Sequence, residues 1–121
     1  MFWTLWITVG AAFGGLGVAI GAFGAHFLKA RLSEEALTLI EIGVRYQMYH
    51  AFALIACGLV ATRIEGTFLT TACYAFSGGI VLFSGSLYLL ATTGVRAFGM
   101  TAPLGGLGFL VGWVCLALSV R

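Results

Sequence analysis

The chain has 121 residues, 61 % of them hydrophobic and 8 % charged, with six basic and four acidic side chains and a formal net charge of +2. With a mean hydropathy of +1.09, it carries more apolar surface than a soluble fold of this length can bury, and its small, scattered charge excludes a nucleic-acid-binding surface. No Asp, Glu, Lys or Arg occurs in residues 1–28, 46–62, 66–95 or 97–120.

A helix needs roughly 20 apolar residues to cross a hydrocarbon core about 30 Å thick. Three of the uncharged stretches exceed that length, and the second approaches it at 17 residues. The stretches are too long, and too little alternating, for the strands of a membrane barrel. Helices satisfy every backbone polar group within their own segment, as lipid requires. The chain therefore reads as an all-α integral membrane protein, a compact bundle of four transmembrane helices forming one domain over residues 1–121. The spans are expected near 4–27, 45–62, 68–91 and 103–119, with an amphipathic helical stretch over 33–44 leading into the second span.

The first segment lacks a basic n-region and outruns a signal-peptide core, so it is expected to be a retained span. Trp3 and Trp6 suit the headgroup boundary. Gly10, Gly14, Gly17, Gly21 and Gly24 follow at spacings of 4, 3, 4 and 3, which places all five on one helical stripe. Membrane helices associate through close backbone approach, so such a stripe is a packing seam, and its mean period implies left-handed crossing.

Lys29 and Arg31 mark the first exit from the membrane, and Ser33 followed by Glu34 and Glu35 reads as a helix N-cap with acids in the first turn. From there Glu34, Thr38, Glu41 and Arg45 line one face. A continuous helix through Gly43 would carry Arg45 to the membrane edge with Glu41 as its counter-ion one turn away. Removing Glu41 would then cost about 3–5 kcal/mol if the pair is truly buried, and far less if it is wet. A break at Gly43 would instead leave both charges hydrated on the interface. The continuous helix is the expectation, since one glycine seldom stops a helix flanked by good helix formers.

The second span opens with Tyr46-Gln47-Met48-Tyr49-His50, the densest polar cluster in the chain, and Arg63, Glu65 and Gly66 form the next turn. The third span holds Ser84, Ser86 and Tyr88 well inside its apolar run. Pro103 stands where the first turn of a helix tolerates it. In the fourth span Gly105, Gly108, Gly112, Cys115 and Ser119 repeat the small-residue seam. The two seams can pack on each other, on neighbouring spans or on another copy. Lys29, Arg31, Arg45 and Arg96 on one side face Arg63 and Arg121 on the other, too small a bias to fix the orientation.

Glu41, Arg45, Gln47, His50, Ser84, Ser86 and Tyr88 form a candidate polar site, because polar groups at membrane depth need partners and usually face the bundle interior. Two readings stand side by side: interhelical hydrogen bonding that merely holds the bundle, and a small pocket between spans two and three. His26 and His50, expected at similar depth, could ligate a metal or haem, but no third ligand stands at a fitting spacing. No metal and no cofactor are expected. Cys57, Cys73 and Cys115 lie in three different spans and read as reduced packing residues. No nucleophile–base–acid set, phosphate loop or zinc spacing is present, so no catalytic residues are assigned and an enzyme is not expected.

Five ordered motifs then carry a resemblance over nearly the whole chain. They are Gly21-Ala22-Phe23-Gly24-Ala25-His26, Tyr46-Gln47-Met48-Tyr49-His50, Leu82-Phe83-Ser84-Gly85-Ser86-Leu87-Tyr88, Pro103-Leu104-Gly105-Gly106 and Gly112-Trp113. In these the chain resembles the uncharacterised membrane family called domain of unknown function 423, which includes YgdD-like proteins and transmembrane protein 256. The resemblance implies a four-helix protein of the bacterial inner membrane and supplies no activity.

Two functions follow as expectations. The first is a non-enzymatic structural or accessory protein whose glycine faces pack into a homo-oligomer or a larger membrane complex, in contact with membrane lipid and not with nucleic acid. The alternative is a transporter or channel component for an ion, lipid or small molecule, with Arg45 attracting an anion and His50 responding to pH.

Overall fold

The computed structural model describes residues 2–121, and of Ala25 the backbone alone. The described residues form helices and no strand. Helix α1 spans Phe2–Leu28, α2 Glu34–Val60, α3 Thr67–Thr93, the short α4 Arg96–Gly99 and α5 Ala102–Ser119.

Three stretches are long and apolar enough to cross a membrane, Phe2–Leu28, Thr67–Thr93 and Arg96–Ser119. Four spans were expected. The remaining helix, α2, is as long as α1 at 27 residues, but Arg45, Gln47 and His50 around its middle lower its hydropathy. The amphipathic stretch expected over 33–44 is the start of α2, which runs through Gly43 without a break, as expected. Ser33 caps it, its side chain accepting from the Ala36 N–H at 3.1 Å. The third connection also differs from a plain loop over 92–102. Helix α3 continues to Thr93, where Gly94 adopts φ 72° and donates its N–H to Leu90 O at 2.8 Å. Only glycine takes that left-handed conformation at little cost.

Neighbouring helices alternate in direction, and the glycine seams decide which ones touch. A side chain at Gly10 would meet the Ala51 carbonyl oxygen at 2.8 Å, one at Gly17 the Met48 sulfur at 2.6 Å, and one at Gly21 the Val44 side chain at 3.1 Å. From α2, Gly58 answers with the same closeness to Ile7 and the Trp3 carbonyl. In the other half, Gly105 lies against the Phe83 backbone, Gly108 against Ala75 and Gly79, and Gly112 against the Phe76 ring. The seams therefore bind α1 to α2 and α5 to α3 rather than to each other. Close backbone approach supplies dispersion contacts that lipid-exposed chains would not make.

The stripe on α1 ends sooner than its spacing implies. Residues Ala19–Gly24 form a π turn, which inserts an extra residue into the helical count and rotates everything beyond it. A side chain at Gly24 would consequently meet only Ile20 and Ala19 of its own helix. Helix α3 carries a second π turn at Ile80–Ser84.

Where the seams leave room, the core fills. Leu54 and Cys57 of α2 pack with Leu69, Ala72, Cys73 and Phe76 of α3, all essentially without exposure. Trp6 corrects the boundary expectation: it is buried in this core and meets Tyr74 edge to face at 5.0 Å. Its indole nitrogen is the one buried side-chain polar atom without a hydrogen-bond partner among the described residues.

The seam geometry makes a paired prediction. Gly10→Ala forces a methyl group against the Ala51 carbonyl and should cost about 1–3 kcal/mol. At Gly15 nothing lies within 4 Å of the added carbon, so Gly15→Ala should hold or gain stability. Thermal unfolding of both variants in one detergent provides the measurement.

Candidate functional site

The buried face of α2 reads Gly43, Gln47, His50, Leu54 and Cys57, the 4-and-3 rhythm of a helix side turned to its neighbours. Two of these five are polar, and each is engaged by another helix. The Gln47 Nε2 donates to the Phe13 carbonyl of α1 at 2.7 Å. Its Oε1 accepts from the Tyr88 hydroxyl of α3 at 2.7 Å. The carbonyl can only accept, so the amide has one orientation that satisfies both bonds. One turn earlier, the Ser84 hydroxyl donates to the Gly43 carbonyl at 2.6 Å. Gly43 lacks a side chain because the Tyr88 ring occupies that place, 2.7 Å from where a Cβ would stand.

His50 closes the set toward α5. Its Nδ1 lies 2.6 Å from the Tyr46 carbonyl, which assigns the proton to Nδ1. The Trp113 indole N–H then donates to Nε2 at 3.0 Å. The imidazole is neutral with both nitrogens engaged, and its ring stacks on Phe109 at 3.6 Å and 7°. No lone pair is left for a metal.

His26 stands elsewhere. Gly14 lies opposite Ala51, which puts His50 level with the middle of α1. His26 is twelve residues past Gly14, about 18 Å further along at 1.5 Å per residue. The similar depth expected for the two histidines does not occur, because that expectation started the second span at Tyr46 and left out the three turns of α2 before it. Among the described residues no three of His, Cys, Asp and Glu gather into a metal-sized cluster.

The candidate residues thus separate into three groups. Gln47, His50, Ser84 and Tyr88 form one set on a single side of α2, where Gln47 bonds Tyr88 and Ser84 bonds the Gly43 carbonyl to join α2 to α3, and His50 joins it to α5. Ser86 turns away from it, bonding the Leu82 carbonyl and the Thr101 hydroxyl and so tying α3 to the α4–α5 junction. Glu41 and Arg45 lie on another face of α2, paired at 3.0 Å with side chains 70 % and 48 % exposed. The helix is continuous, yet the pair is open rather than buried, so the large cost attached to a buried pair does not apply.

Three partners of this set were not assigned to the site from the sequence, Trp113, Phe109 and the Phe13 carbonyl, and neither was Thr101, the partner of Ser86. Trp113 had a usable signal, since an indole well inside the apolar helix Ala102–Ser119 is away from the boundary where tryptophan normally sits. A backbone carbonyl offers none.

Comparison with known proteins places this arrangement in a family. The model of a protein family of unknown function, DUF423, matches residues 20–106. The chain belongs to that family. The UPF0382 membrane protein YwdK of Bacillus subtilis is 39 % identical over 116 residues, which is 95 % of this chain and 94 % of YwdK. A UPF0382 membrane protein of Staphylococcus haemolyticus is 42 % identical over 117 residues, 95 % of this chain and 93 % of the relative. The UPF0382 inner membrane protein YgdD of Escherichia coli is 35 % identical over 102 residues, 84 % and 78 % of the two chains. No solved structure matches the chain. Like its DUF423 relatives, the chain is an integral membrane protein.

Two outcomes follow for the polar set. Gln47→Leu strands the Tyr88 hydroxyl and should destabilise by about 1–2 kcal/mol, while Tyr88→Phe added to it should cost little more, as interhelical pairs in membranes behave. A double-mutant cycle by reversible unfolding in detergent gives the coupling. Glu41→Gln should lower stability by no more than about 0.5 kcal/mol, a shift near the error of a thermal scan.

Proposed function

We propose that this DUF423 protein crosses the membrane four times and serves as a non-catalytic component that assembles with a second copy or with a larger membrane complex. Four crossings are supported by the place of α2 between α1 and α3, where Gln47 and His50 meet other helices instead of lipid. The buried set offers amide, phenol, hydroxyl and neutral imidazole groups, every one engaged in holding helices together, with no acid–base pair to run a reaction.

One observation carries the assembly reading. Gly15 on α1, Gly78 and Gly85 on α3 and Gly106 on α5 have open space where a side chain would stand. A glycine inside a helix costs about 1 kcal/mol relative to alanine, and these four give no close packing within the chain in return. Close approach by a helix from outside is the use such positions have in membranes. The seams on Gly10–Gly21 and Gly105–Gly112 do not serve here, being taken up inside the bundle.

The transport reading finds less support. Arg45 and Glu41 lie on a different face of α2 from His50, while Gln47 and Tyr88 are bonded to each other and Ser84 to the Gly43 carbonyl.

Two measurements test the proposal. Cysteines introduced at the start of α1 and the end of α5 should label from the same side of the membrane, and labelling from opposite sides would mean three crossings. Native mass spectrometry from nanodiscs should show a complex larger than one chain that Gly78→Leu or Gly15→Leu disperses without lowering thermal stability. A monomer in every preparation that co-purifies with no other chain would overturn the assembly reading.

A further inference from the structure

The polar stripe that opens α2 is not absorbed by the buried set. It borders an open groove of about 570 Å³ between the end of α1 and the first turns of α2. Gly21, Ile40 and Val44 make its floor, while Lys29, just past the end of α1, and Glu34 and Glu41 of α2 stand around its rim. Its size falls in the range of small-molecule sites, roughly 300–1,000 Å³.

The charges on this rim are unevenly spent. Glu41 is paired with Arg45, the one ion pair among the described residues. Lys29 and Glu34 line the same groove and enter no ion pair there. A cation and a carboxylate facing one cleft call for a ligand that carries both opposite charges. Beside that rim the lining of Gly21, Leu37, Ile40 and Val44 is apolar, which suits a ligand that continues into a hydrocarbon chain. Lys29 also closes the first uncharged stretch, which sets the rim at headgroup depth.

We infer that this groove is a binding site for an aminophospholipid, with Lys29 meeting the phosphate, Glu34 the primary ammonium and one acyl chain lying over Gly21, Ile40 and Val44. The chemistry separates the common headgroups. A primary ammonium donates up to three hydrogen bonds to carboxylates, whereas the trimethylated group of phosphatidylcholine donates none and phosphatidylglycerol carries no cation. Glu41 stands ready as a second acceptor wherever Arg45 releases it. The site rests on the membrane placement of α1 and α2 and is independent of any assembly with other chains.

The test is native mass spectrometry of the whole protein in detergent, titrated with phosphatidylethanolamine, phosphatidylcholine or phosphatidylglycerol of identical chains. Phosphatidylethanolamine should be retained over the other two by about threefold, the scale of one exposed ion pair. Glu34→Gln should bring it down to the phosphatidylcholine level, and Lys29→Gln should weaken all three phospholipids, since each carries the phosphate. Glu35→Gln removes the same charge one residue outside the groove and should leave the preference intact, which separates a site effect from a general one. Phosphoethanolamine without chains should not compete. Equal retention of the three lipids by the native protein would overturn the proposal, as would a preference that survives Glu34→Gln. The same spectra report oligomeric state, so loss of the lipid preference and absence of assembly are read separately.

Discussion

Hydrocarbon offers no hydrogen bonds, so every polar side chain on a membrane helix has to find its partner on a neighbouring helix. In this protein that requirement falls on α2, and it determines where the other long helices stand. Gln47 reaches α1 with its amide nitrogen and α3 with its amide oxygen. His50 is met by Trp113 of α5. Ser84 ties α3 to the Gly43 carbonyl. An apolar α2 could slide or turn against its neighbours at small cost, because one apolar surface packs on another much as it packs on lipid. With Gln47 and His50 in place, a shift by one turn leaves several groups unpaired at once, and each unpaired group is expensive in a low dielectric. The low hydropathy of α2 and the order of the bundle thus have one cause.

The glycines act in concert with these bonds. A carbonyl on α1 comes within reach of a glutamine on α2 only if the two backbones run close together, and Gly10, Gly17 and Gly21 on one side with Gly58 on the other permit that approach. Likewise, Gly43 admits the Tyr88 ring that delivers its hydroxyl to Gln47. Small residues set the spacing and polar residues set the register. Two different physical effects, dispersion at short range and directional bonding, are needed for a single arrangement.

Much of this was legible in the residues. Uncharged runs located the helices, Ser33 marked the start of α2, and the spacing of glycines announced close packing. What a spacing of 3 and 4 cannot carry is the identity of the partner: the same stripe would serve another span, another half of the bundle or another copy. The π turns were invisible as well, because Ala-Ile-Gly-Ala-Phe-Gly has no composition that distinguishes it from ordinary helix. Hence Gly24 was placed on a face it does not occupy. Trp6 was misplaced for a related reason, since aromatic rings near a helix end suit both the headgroup boundary and a core. The polar site fared unevenly. Gln47, His50, Ser84 and Tyr88 do converge, but Glu41 and Arg45 point to another face although they are neighbours in sequence, and Ser86 serves a different junction.

The π turn in α1 has one more effect. Upstream of it the helix is an inner wall, pressed along its glycines against α2. From the turn onward the seam no longer holds the helix to α2, and Phe23 within the turn and Phe27 beyond it stand 64 % and 71 % exposed. Phenylalanines at the end of a membrane helix hold it at a fixed height by keeping their rings in the acyl region. One continuous helix therefore performs two mechanical tasks, gripping protein with its first half and gripping the bilayer with its last turns, and a single surplus residue divides them.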